Sequence, residues 1–192
     1  MTDEQSNKLI LMLSRILMQP MEFNGLRCEI SYVNHARHSR HWVIQPHYHP
    51  WFEFNYVAEG SVYTSVKGQE FLANAGQSYL IAPEVVHAHR HNNTGDTGLC
   101  IRFSLEAEKN HAQAREVLAV LSRPRPYSFS SGIEHIPDAD GSLGIQAAFL
   151  TWLMRLYETW SEGDGPSGAL TANTVSSQVM IYLKEYYKTK IR

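Results

Sequence analysis

The sequence predicts a mainly β fold with appended helices, in which a barrel or sandwich of short antiparallel strands has one helix before it and others behind. Three observations carry that prediction. Short apolar, aromatic and β-branched runs broken by turn residues fill roughly residues 26–104. Apolar residues recur at helical spacing on both sides of that stretch. No helical segment interrupts the strands, which argues against a parallel α/β sheet.

Residues 3–18 read as a short amphipathic helix, with Leu9, Leu13 and Ile16 on one stripe and Pro20 helping to end it. Strands are expected at Cys28–Val33, Trp42–Gln45, Phe52–Val57, Ser61–Val66, Ser78–Ile81, Val86–Arg90 and Leu99–Phe103. Glu59-Gly60, Lys67-Gly68, Asn74-Ala75-Gly76 and Asn93-Thr94-Gly95-Asp96 punctuate them as turns. Past Phe103 the period is helical again. Residues 109–121 carry Val117, Leu118 and Leu121, and Arg123-Pro124-Arg125-Pro126 stops them. Residues 143–161 place Ile145, Phe149, Trp152, Leu156 and Trp160 near heptad spacing. After a connection over 162–168, residues 170–190 repeat that spacing with Val175, Val179, Tyr182 and Tyr186, so the last two helices form an antiparallel pair. Three parts result: residues 1–24, a helix and arm; 25–105, the barrel; and 106–192, a helical region.

Composition narrows the class. The 192 residues are 43% hydrophobic and 19% charged, which is ordinary for a soluble globular chain. A net charge of -2 with no basic patch argues against DNA being gripped by these residues themselves. Cys28 and Cys100 fall in apolar strand text and read as reduced core thiols. The run Leu9–Leu13 follows acidic residues and precedes no cleavage site, and no stretch reaches the length of a membrane span, so a cytoplasmic location without membrane contact is expected.

The histidines are the informative feature. Eight of the ten lie in two clusters: His35, His38, His41, His47 and His49, then His87, His89 and His91. Side chains alternate across a strand, so His47, His49, Glu53 and Asn55 are expected on one face, as are His87 and His89. Imidazoles with a carboxylate suit first-row metals. His47, His49, Glu53 and His87 therefore form a candidate site for one divalent ion (Zn, Ni, Mn or Fe), with positions left open. Trp51 and Asn55 share that parity and are expected to line a ligand pocket with the same residues, with His89 orienting a ligand imidazole. Aromatic walls with a few polar groups suit a sugar or another small polar molecule. His35, His38 and His41, beside Arg37 and Arg40, read as a solvated loop; the alternative is an arm that closes over the pocket and contacts an anion.

His47-Tyr48-His49-Pro50-Trp51-Phe52-Glu53, then six residues to Gly60, resembles the first motif of the cupin family. The second motif is partly matched: Gly76 leads a strand to Pro83 and His87 follows, while Val85-Val86 stands where a glycine is usual. Phe52–Gly60 and Gly76–Pro83 resemble the sensor domains of AraC-type transcription regulators, and Gln178–Tyr187 resembles the segment that opens their DNA-binding half. The resemblance implies a cupin double-stranded β-helix barrel that binds a small-molecule effector, helices that serve as linker and homodimer contact, and DNA binding only through a further C-terminal domain. It also implies a chain that is not an enzyme. The alternative is a metal-dependent cupin enzyme, an isomerase or dioxygenase, using His47, His49, Glu53 and His87.

Overall fold

The computed structural model describes residues 3–133 and 141–161. Its elements are α1 (Asp3–Ser14), β1 (Met21–Phe23), β2 (Leu26–His38), β3 (Val43–His47), β4 (Phe52–Val66), β5 (Gln69–Asn74), β6 (Ser78–Ile81), β7 (His87–Ala107), α2 (Ala112–Leu121) and α3 (Gly141–Ser161). The strands form one sheet with the main path β1-β2-β7-β4-β5, with β3 joined to β7 and β6 to β4. Every pairing is antiparallel.

Two long strands run through both halves of this sheet. β4 runs for 15 residues and β7 for 21, well beyond the usual strand. Phe52–Val57 pair with Gly98–Phe103, while Glu59–Val66 pair with His87–Thr97. Each strand thus belongs to two halves of the barrel. β2 and β6 extend the first half, β3 and β5 the second. Register shifts at Val57/Glu59 and Gly60/Val62 mark the fold line. Gly60 and Gly95 sit there with φ of +73° and +76°. The turns expected at Glu59-Gly60 and Asn93–Asp96 are therefore bends inside continuous strands. A glycine in a strand admits a bulge, which bends the chain without ending the ladder, and its sequence signature is that of a turn.

Gly95 gives a direct test of this bend. A methyl group there would lie 2.6 Å from the His38 carbonyl oxygen, at a φ that L residues rarely adopt. Gly95→Ala is expected to cost about 1–3 kcal/mol, seen as a lower urea midpoint with an unchanged m-value. A midpoint within error of the wild type would rule out the close approach of β2 to this bend.

The helices cover one outer face. Leu9, Leu13 and Ile16 are buried as expected, but α1 stops at Ser14. Beyond it the Arg15 and Ile16 amides reach the Met12 and Leu13 carbonyls in tighter turns, both at 3.1 Å. α3 buries Ile145, Phe149, Trp152, Leu156 and Trp160, the whole expected stripe. Trp152 meets Phe54 edge-on at 4.8 Å, and Phe149 meets Phe103 at 5.7 Å. That stripe is consumed within the chain. The helix expected over residues 170–190, with Val175, Val179, Tyr182 and Tyr186, lies outside the described residues, and its pairing with α3 with it. Cys28 and Cys100 are free thiols whose pKa is raised, chiefly by burial. No described helix is long and apolar enough to cross a membrane.

Candidate functional site

β3 ends at His47, opposite His87 at the start of β7, and their ring centroids are 4.2 Å apart. His49 is not on a strand. Residues 48–51 leave the ladder, so the predicted alternation fails there, but the Glu84 amide pins the His49 carbonyl at 2.9 Å. The ring reaches the cluster from this loop. The ligand nitrogens of His47, His49 and His87 all lie within 4.8 Å of one another.

Hydrogen bonds decide what these rings present. Nδ1 of His47, His49 and His87 faces the carbonyl oxygens of Gln45, Trp51 and Val85 at 3.0, 2.9 and 2.8 Å. A carbonyl only accepts, so each Nδ1 carries the proton and each neutral ring keeps its lone pair on Nε2. Nε2 of His49 and of His87 is buried with no hydrogen-bond partner among the described residues. Burial, opposed by the Val85 carbonyl, lowers the His87 pKa to about 4, so this ring is neutral at pH 7. Converging imidazole lone pairs, each oriented through its other nitrogen, are the donor set of a transition-metal centre. With Glu53 beside it, this buried cluster is able to hold a metal ion.

Glu53, on β4, is the hub of the site and is 4% exposed. Its Oε2 accepts from Arg102 Nε at 2.9 Å and its Oε1 from Asn55 Nδ2 at 3.1 Å. His49 Nε2 lies 3.3 Å from Oε2 and His89 Nε2 3.6 Å from Oε1. Burial alone would raise the carboxyl pKa; His49, His89 and Asn55 outweigh it and hold the group well below the usual carboxylate range. His49 Nε2 and Glu53 Oε2 thus stand close enough for one cation, a proton or a metal ion, to sit between them. Glu53, His87 and His89 form a second group with ligand atoms within 4.8 Å, sharing His87 with the first. His89 Nδ1 is 3.1 Å from Thr64 Oγ1.

A cavity of about 200 Å³ opens inside the barrel on the other side of Glu53. Of the residues expected to line a ligand pocket, Glu53, Asn55 and His89 do so; His47, His49, Trp51 and His87 do not. Trp51 instead stacks on His49 at 5.1 Å and lies 5.7 Å from the Arg102 guanidinium. The single pocket expected from strand parity is thus two adjoining places, a histidine cluster and a cavity, which meet at Glu53 and His89. Arg102, Asp96, Trp42 and His38 also line the cavity and were not among the predicted ligand residues. Arg102 had a sequence signal: it is a lone charge within the apolar run Leu99–Phe103, and its register partner is Glu53. His38 is no solvated-loop residue; it ends β2 and faces the cavity.

Residues 38–101 match the family model for the cupin domain. Solved structures similar to the chain include KdgF from Halomonas sp., 14% identical with a TM-score of 0.36, over 44% of this chain and 86% of that one. A second is an RmlC-like cupin from Shewanella frigidimarina, 18% identical with a TM-score of 0.36, over 48% and 86%. A third is a variant of the oxalate decarboxylase OxdC from Bacillus subtilis, 15% identical with a TM-score of 0.34, over 44% and 27%. A search of curated proteins found no match. The expectation of a chain that is not an enzyme is corrected: the barrel assembles a His/Glu cluster able to hold a metal. By the match to the family model and by the antiparallel barrel built around that cluster, residues 38–101 form a cupin domain.

Proposed function

We propose that this domain holds one divalent transition metal (Zn, Ni, Mn or Fe) on His47, His49 and His87 with Glu53 adjoining, takes a small organic molecule into the cavity beside it, and serves as the sensing domain of an AraC-type transcription regulator. The observation that carries the site is the set of committed tautomers: three Nδ1–H groups donated to backbone carbonyls, with the Nε2 lone pairs left to converge. A bound metal supplies a Lewis-acid charge to an oxygen of the ligand. The chain's own residues do the rest. Asn55 and Arg102 fix the Glu53 carboxylate, Trp51 covers His49, and His89 joins the cluster to the cavity. The regulator role is supported by the likeness of Phe52–Gly60 and Gly76–Pro83 to such sensor domains. Homodimer formation belongs to the same reading, and the net charge of -2 leaves DNA contact to a separate domain. Sensing requires that the ligand bind one arrangement of the barrel and its helices better than another.

A specific observation favours a second reading, turnover by a metal-dependent cupin enzyme. His89, held by Thr64 Oγ1 at 3.1 Å, stands 3.6 Å from Glu53, so two groups able to exchange protons lie side by side where the cavity meets the cluster. Metal analysis of the untagged chain beside a His47→Ala/His87→Ala variant tests the centre on which both readings rest. About one metal per chain, lost in the variant, is expected; a wild type that stays metal-free after loading with each of the four ions would overturn it. Sensor and enzyme then separate by whether a bound small molecule is recovered unchanged from the loaded protein.

A further inference from the structure

We infer that Asp96, with His38 and Trp42, forms a recognition subsite of the cavity that takes the hydrogen-bond-donating end, hydroxyl or ammonium, of a small polar molecule. The inference rests on the cavity being a ligand pocket, as proposed above, and adds the chemistry that it selects.

The geometry begins at the bend of the barrel. Asp96 and His38 are direct cross-strand partners at the end of β2. His38 Nδ1 donates to Asp96 Oδ2 at 3.0 Å. Trp42 folds back over the following turn and stacks on the His38 ring at 3.9 Å and 18°, which fixes the imidazole against the carboxylate. Asp96 is 7% exposed, yet its second oxygen, Oδ1, has no hydrogen-bond partner among the described residues.

A buried carboxylate oxygen without a donor is costly. The fold nonetheless places Asp96 in the wall of the cavity, six residues along β7 from Arg102. His38 and Asp96 also line an open outer cleft of about 270 Å³, together with Arg37, Glu59 and Thr97. The pair is thus the partition between the interior and the surface, where an entering molecule meets it. Only an O–H or N–H group completes Asp96 Oδ1. An arm here that contacts an anion, the alternative suggested by the nearby arginines, finds no free cation at this end of the cavity among the described residues: Arg37 is turned to Glu59 at 3.6 Å, and Arg102 in the cavity wall donates to Glu53 at 2.9 Å. The cavity of about 200 Å³ has room for a small organic molecule with two or more polar groups.

The test uses three probes with the full chain: erythritol, 4-amino-1-butanol and 1,4-dimethoxybutane, the last being of similar size but with no donor. The Trp42 indole N–H signal in a ¹H–¹⁵N spectrum reports occupancy. Binding of erythritol or of the amino alcohol in the millimolar range is expected, and the one that binds names the donor as hydroxyl or ammonium. The dimethoxy compound is expected not to bind. Asp96→Asn keeps its oxygen towards the His38 N–H and so turns an amide N–H₂ into the cavity; donor probes are expected to bind at least tenfold more weakly. The subsite is overturned if neither donor probe moves the Trp42 signal, if the dimethoxy compound binds as tightly, or if Asp96→Asn leaves affinity unchanged. Metal content measured on the same samples separates the two proposals. Full metal with no Asp96 dependence sinks only the subsite, whereas probe binding by a chain that stays metal-free after loading with each ion sinks only the metal centre.

Discussion

Replacing Trp152 with alanine is expected to destabilise the domain by about 3–5 kcal/mol, the usual range for deleting a buried tryptophan. Trp152 is 3% exposed. Its ring meets Phe54 and Phe149 at 4.8 and 5.3 Å, and its indole N–H donates to the Ser131 carbonyl at 3.1 Å. The alanine variant leaves a cavity between α3 and the sheet and strands that carbonyl. The consequence reaches the site because β4 alternates. Phe54 points outward to α3, while its neighbours Glu53 and Asn55 point inward. Loosening the outer wall frees the strand that holds the carboxylate. Trp152→Ala is therefore expected to lower the melting temperature by roughly 10 °C and to weaken metal retention. Trp152→Phe keeps most of the packing and loses the hydrogen bond, for about 1–2 kcal/mol. A Trp152→Ala midpoint equal to that of the wild type would mean that α3 is not docked on β4 in solution.

The class of fold was legible because strand alternation and helical spacing are local properties, and both are strong here. The barrel's closure was less legible. A bulge glycine and a turn glycine look alike in sequence, so β4 and β7 each read as two strands, and β5, half polar in Gln69–Asn74, carries no strand signal of its own. The site divided along the same line. His87 and His89 share a face because β7 is regular there. His49 joins the cluster through a loop whose path is set by the long-range bond from Glu84, which no local pattern encodes. Arg102 could be found by asking what a lone charge in an apolar strand pairs with. Asp96 could not, since its role depends on a bend that brings it opposite His38.

Acidification from pH 7 to pH 4 is expected to remove on the order of 2 kcal/mol from the stability of the metal-free chain, mainly through His87. Burial lowers its pKa from 6.5 to about 4 in the folded state. Between those values the unfolded chain binds a proton that the folded one refuses, so stability rises with pH there and falls as pH drops through the same window. The stated figure is below the full difference because a buried group that becomes charged relaxes its surroundings and draws water in. Glu53 acts in the same direction at lower pH. Its folded carboxyl sits below the usual range, so its contribution is present above the unfolded pKa of about 4.5 and is lost progressively as pH falls below it. Urea titrations in the presence of a chelator, at half-unit steps from pH 7 to pH 3.5, separate the two. His87→Gln is expected to flatten the curve between pH 6.5 and pH 4 while leaving the decline below 4.5. Glu53→Gln is expected to do the reverse. The order matters physically: His87 already presents its lone pair at pH 5, where a solvent-exposed histidine is mostly protonated, so the cluster keeps a neutral donor further into acid than an open histidine site would. A wild-type curve flat from pH 7 to pH 4 would show that His87 is hydrated in solution and that the buried donor set described above does not persist there.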